Sequence, residues 1–69
     1  MQAIDRTAIG TRLRDLRGNK PQSEVASAIG VTAMAISQYE RGERIPNDEM
    51  KIRIAAYYKK SVEELFFAC

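Results

Sequence analysis

The residues with the clearest chemical pattern lie between Thr32 and Arg41. Met34, Ser37, Gln38 and Arg41 recur at i, i+3, i+4 and i+7, the spacing of one face of an α-helix, with Ala33 beside them. That face carries no acid. It offers a thioether, a hydroxyl, an amide, a methyl and, at its end, a guanidinium. Such groups read base edges in a DNA groove: an amide pairs with adenine, a hydroxyl with either pairing partner, and methyl and thioether groups pack on the thymine methyl. Thr32, Ile36, Tyr39 and Glu40 fall on the other side of the same wheel.

A face of this kind needs a scaffold, and the flanking residues parse into short helical segments separated by Gly and Pro. Just upstream, residues 22–29 place Val25, Ala26 and Ile29 on one side, with Pro21 at the first turn, where a missing N–H is not felt. The connection Ile29-Gly30-Val31-Thr32 has the length of a helix-turn-helix: Gly30 permits a positive φ, Val31 supplies an apolar plug, and Thr32 is a good N-cap. The first segment carries Ile9, Leu13 and Leu16 as one apolar stripe, with Asp5 or Thr7 placed to cap it and Gly18 to stop it. After Gly42, Pro46 and Asn47 restart the chain. A fourth helix over 48–58 is predicted to bury Met50, Ile54, Ala55 and Tyr58. Asp48 and Glu49 at its start and Lys59 and Lys60 past its end suit the helix dipole. Ser61-Val62-Glu63-Glu64 reads as a capping box leading into Leu65-Phe66-Phe67. The expectation is an all-α fold of five helices, one domain over 1–69, with a helix-turn-helix at about 22–41.

Composition narrows the function. The 69 residues hold 11 Lys+Arg against 9 Asp+Glu, a net charge of +2, and no His or Trp. At 45% hydrophobic and 29% charged, the chain is built for a small globule rather than for disorder. With Cys69 as the single cysteine and no histidine, neither an intrachain disulfide nor a Cys/His zinc site can form, which points to a reducing, cytoplasmic setting. No apolar run approaches the roughly 20 residues needed to cross a bilayer, and the first residues do not read as a signal peptide. Catalysis is excluded by inventory: there is no His general base, no Gly-rich phosphate loop and no Ser/His or Cys/His pairing. Nothing in the chain calls for a metal, a cofactor or a small-molecule effector. Charge is unevenly spread: Arg6, Arg12, Arg14, Arg17 and Lys20 face one acid, Asp15, and 21–40 contains no Lys or Arg before Arg41 and Arg44 follow. Positive clusters around a neutral middle suit phosphate clamps on either side of a base-reading surface. The alternative is a solvated helix face, and Arg12 and Arg14 read as such, or as partners of Asp15.

The run Gln22-Ser23-Glu24-Val25-Ala26, Gly30-Val31-Thr32 and Ile36-Ser37-Gln38-Tyr39-Glu40-Arg41-Gly42, followed by Pro46, resembles the Cro/repressor-type helix-turn-helix family of phage and bacterial regulators. The likeness extends from about Ile9 to Phe66. It implies five helices, with the third in the DNA major groove and the second crossing above it. Carried over by position, Thr32, Ala33, Met34, Ser37 and Gln38 meet bases. Lys20, Gln22, Arg41 and Arg44 meet phosphates, Gln22 also buttressing the recognition helix. Arg17 pairs with Glu40, and Tyr39 fills a core position. The sequence departs from the family pattern in a shorter 17–22 connection, in Pro21 where a Ser/Thr cap is usual, and in Lys59-Lys60 after the fourth helix.

One such unit reads few base pairs, so two copies on a two-fold site are expected. Val62, Leu65, Phe66 and Phe67 are four large apolar residues in the last eight. With Val62 and Leu65 turned inward, Phe66 and Phe67 are the predicted homodimer surface of a helix at about 62–67. The reading is a double-stranded-DNA-binding transcriptional regulator, a repressor. Its competitor is a protein-interaction module, antitoxin-like or coactivator-like, that keeps the fold; acids on the outward face of the third segment would favour that competitor, and none is present.

Overall fold

The helices start where the sequence supplies an oxygen for their unpaired N–H groups, all but the second, which opens on Pro21 without a side-chain cap. In the computed structural model, which describes residues 5–67, these are α1 (Arg6–Arg17), α2 (Gln22–Ile29), α3 (Ala33–Glu40) and α4 (Asp48–Tyr58), followed by a π-helical turn, Glu63–Phe67. Asp5, not Thr7, caps α1 by accepting the Ala8 N–H at 3.0 Å. Thr32 Oγ1 accepts from Ala35 at 3.1 Å, and Asn47 Oδ1 from Met50 at 2.9 Å. The capping box closes both ways: the Ser61 N–H donates to Glu64 Oε1 at 2.9 Å and the Glu64 N–H to Ser61 Oγ at 3.0 Å. The architecture is the all-α, five-element arrangement expected. No helix among the described residues is long and apolar enough to cross a membrane. Cys69 lies outside the described residues.

The core gathers one stripe from each element: Ile9 and Leu13, then Val25, Ala26 and Ile29, then Ala35, Ile36 and Tyr39, then Ile54 and Ala55, and finally Leu65 and Phe66. Two packing details were not expected. Gly10, inside α1, faces the end of α3, and a Cβ there would lie 2.9 Å from the Tyr39 carbonyl oxygen and nearer still to that of Glu40. Helix α1 therefore meets α3 backbone to backbone, which only glycine allows. On α4, Lys51 is buried while Met50 and Tyr58 are only half-buried. Its stem lies in the interior, and its ammonium stands 5.0 Å from the Phe67 ring centroid and 5.9 Å from that of Phe66.

The C-terminal segment corrects the sequence reading at Phe66. The helix there is wound as a π-helical turn over Glu63–Phe67, and Phe66 is buried at 3% exposure. In the wide π turn successive side chains are spread less than in an α-helix, so adjacent Leu65 and Phe66 both point inward. Phe66 is core, not a free interface residue. Phe67 alone of the pair stays exposed, at 54%.

Candidate nucleic-acid interface

The α2–turn–α3 unit is fixed at its corner. Gly30 adopts φ +90°, a left-handed conformation, and the Gly30 and Val31 N–H groups return to the Ala26 carbonyl at 2.8 and 2.9 Å. Arg53 from α4 donates to the Ile29 carbonyl at 3.2 Å, holding the end of α2, and half-buried Val31 packs on the core. This turn sets the angle at which α3 leaves the body.

Helix α3 then divides as its periodicity requires. Ala35, Ile36 and Tyr39 are buried; Thr32, Ala33 and Met34 are exposed, Met34 at 68%, and Ser37 and Gln38 are half-exposed. The Thr32 oxygen is engaged as the N-cap through one lone pair, which leaves its O–H free to donate to a ligand. The far end is held by a charged network. Arg17 reaches Glu40 through Nε to Oε2 at 2.7 Å and Nη2 to Oε1 at 3.0 Å, and Gln22 Nε2 donates to the same Oε1 at 3.0 Å. Arg17 also donates to the Lys20 carbonyl at 2.7 Å. The Glu40 side chain is 5% exposed and that of Arg17 16%. The Glu40 hydrogen bond, with its negative charge, holds the Arg17 proton more tightly than usual despite partial desolvation. Burial first, and then Glu40's charge, pushes the Tyr58 hydroxyl up to about 12.

The flanking cations are not all alike. Arg41, the residue that ends α3, pairs side-on with Glu43, Nε to Oε2 at 3.1 Å. Arg44 lies over the Tyr39 ring at 5.7 Å. Lys20 rests on Tyr57 of α4, its Nζ 3.3 Å from the hydroxyl and 5.2 Å from the ring centroid. The structure therefore joins Arg17, Gln22 and Glu40 in one cluster, sets Met34, Ser37, Gln38 and Arg41 along one edge of α3, and seats Lys20 against α4. Arg12, read as solvated, is half-buried and donates to the Leu65 carbonyl. Among the described residues no group of three or more His, Cys, Asp or Glu could hold a metal ion.

Sequence reasoning passed over Glu43, Arg53, Gly10 and Lys51. Gly10 carried a usable signal, since a glycine inside an otherwise helical pattern marks a close backbone approach. The pairing of Arg41 with Glu43 had none, because it is made across the turn after α3, where helical spacing rules do not apply.

Two apolar-cored helices joined through a left-handed glycine, with the second presenting an acid-free face, define a helix-turn-helix protein. The chain belongs to that family, in its Cro/repressor-type branch: the family profile described as Helix-turn-helix matches residues 12–65. Over 47 residues it is 36% identical to the cryptic phage CTXphi transcriptional repressor RstR of Vibrio cholerae serotype O1, a stretch covering 68% of this chain and 42% of RstR. The chain thus spans less than half the length of that curated relative. Among solved structures it is similar to the P22 c2 repressor in complex with synthetic operator 9T, with a TM-score of 0.82, 31% identity, and 86% of this chain and 92% of that one covered. It is likewise similar to the restriction-modification controller protein C.AhdI of Aeromonas hydrophila, with a TM-score of 0.80, 28% identity, and coverage of 90% and 93%.

Proposed function

We propose that this chain is a sequence-specific, double-stranded-DNA-binding transcriptional regulator of the repressor type, acting as a homodimer with α3 of each copy in the major groove. One observation carries the reading: an acid-free polar and methyl face on α3, held at one end by the Thr32 cap and at the other by Arg17–Glu40–Gln22. The likeness to a repressor solved on an operator supports it. In this reading Gln38 and Ser37 supply hydrogen bonds to base edges, Ala33 and Met34 contact thymine methyls, and Thr32 donates to a nearby acceptor. Gln22 keeps one amide N–H beyond its bond to Glu40, suited to a phosphate at the start of α2. Arg44, Arg41 and Lys20 supply the salt-dependent contacts, each full phosphate contact adding close to one to the salt slope. Because α3 is short, discrimination also draws on DNA shape and on a second copy.

The second copy is best joined through Phe67, an exposed aromatic, with exposed Ile52 on α4 as a further apolar contributor. Two recognition helices on a two-fold site stand about 34 Å apart. A gel-shift against a random oligonucleotide pool, at low and high salt, tests the binding: enriched sites and a steep salt slope are expected. Affinity that ignores salt, or a pool without enrichment, refutes it in favour of a protein-interaction module. Ultracentrifugation of the parent and of Phe67→Ser at micromolar concentration tests the dimer, and equal association of both refutes the Phe67 surface.

A further inference from the structure

The end of α3 is closed by a turn that brings an acid to the edge of its acid-free face. The Gly42 N–H bonds to the Tyr39 carbonyl at 3.2 Å and the Glu43 N–H to the Gln38 carbonyl at 2.9 Å, with Gly42 at φ +74°. This closure fixes the Glu43 backbone, and its carboxylate meets Arg41 side-on through Nε–Oε2 at 3.1 Å and Nη2–Oε1 at 3.2 Å. Both side chains are more than half exposed. The neighbouring Arg44 differs: it is seated on the Tyr39 ring, and no carboxylate pairs with it among the described residues.

We propose that Glu43 is an internal competitor for DNA phosphate at Arg41, a built-in brake on duplex binding; the proposal rests on the DNA-binding reading above and adds a residue that opposes it. An exposed ion pair is weak and exchanges readily for a phosphate, which accepts the same side-on guanidinium fork. The opposition arises chiefly from what the exchange leaves behind. With its backbone fixed by the turn, the Glu43 carboxylate can move only by the reach of its own side chain, so it remains near the phosphates as a like charge. Arg41 in the parent protein therefore gives less net counterion release than Arg44, since Glu43 offsets part of its charge locally. The effect falls on every duplex alike, because neither partner reads a base. It sets how tightly the protein is held by DNA in general and at what salt it lets go.

The test is a binding cycle on a single enriched duplex and on random DNA, over a salt series, with the parent, Glu43→Gln, Arg41→Gln and the double variant. Glutamine keeps the backbone N–H that closes the turn, and melting curves verify that all four proteins fold. Glu43→Gln is expected to bind both duplexes roughly 3- to 10-fold more tightly at low salt. It should also steepen the salt slope by up to about one. Arg41→Gln is expected to cost more in the Glu43→Gln background than in the parent. Unchanged or weaker binding by Glu43→Gln overturns the proposal, weaker binding showing that the carboxylate orients Arg41 instead. Equal losses from Arg41→Gln in both backgrounds also overturn it. A parent that shows no salt-dependent duplex binding refutes the DNA-binding reading itself, a result distinct from a parent that binds and a variant that does not respond.

Discussion

Replacing Arg17 by methionine removes the cation from a carboxylate that is only 5% exposed, while keeping a stem of similar length. Glu40 then loses the Nε bond at 2.7 Å and the Nη2 bond at 3.0 Å and retains the Gln22 amide at 3.0 Å. Breaking a buried pair from one side costs about 3–5 kcal/mol. Because Arg17 keeps 16% of its side chain in water and Gln22 remains, the lower end applies, about 3 kcal/mol. A chain of 69 residues has roughly 3–10 kcal/mol of stability in total, so the variant should be close to half unfolded or should melt at least about 12 °C lower. Removing both partners, as Arg17→Met with Glu40→Met, leaves no orphaned charge and should recover about 1 kcal/mol or more relative to Arg17→Met alone. Urea unfolding followed by far-ultraviolet circular dichroism measures all three proteins, the chain having no tryptophan to report by fluorescence. A loss below about 1 kcal/mol for Arg17→Met would class the pair with ordinary surface ion pairs. A double variant no more stable than the single would refute the orphaned-charge reasoning.

Gln38→Ala should cost roughly 1–3 kcal/mol of binding on the enriched site and much less on random DNA, read by paired gel-shift titrations; equal losses would make Gln38 a backbone contact. Gly10→Ala, a change that usually stabilises a helix interior, should here destabilise the fold and lower the urea midpoint, because the added Cβ meets the Tyr39 and Glu40 carbonyls. Lys59 holds φ +58° and ψ +43° at the end of α4, so Lys59→Gly should raise stability by about 0.5–1 kcal/mol, the relief of left-handed strain exceeding the entropy glycine adds to the unfolded chain. Tyr58 ionises at about 12 in the folded protein and near 10 when unfolded. Between those values only the unfolded state gives up the proton, so stability falls as pH rises, and Tyr58→Phe should fall less steeply across the same window.

What the sequence disclosed and what it hid divide along a physical line. Thr32, Asn47, Ser61 with Glu64, and Gly30 act on residues within three or four positions of themselves, so their roles can be read from the chain alone. Gly10, Lys51 and Phe66 depend on which neighbour covers them, and that is decided by the packing of distant segments. Phe66 and Phe67 are adjacent and chemically identical, yet the packing of the C-terminal turn buries one and leaves the other out. The same division organises the interface. The start of α3 is fixed by its own cap and by Val31, and its end by residues from α1 and α2. Neither attachment uses the side chains of Ala33, Met34, Ser37 or Gln38, so those four side chains take no part in the capping and ion-pair contacts that hold the helix. Substitutions there should change which DNA is bound while leaving the melting temperature nearly in place, whereas changes at Ala35, Ile36, Tyr39 or Glu40 should unfold the domain before they reveal anything about DNA. A helix held in this way would let base preference vary without a change of fold, if α3 reads DNA as proposed.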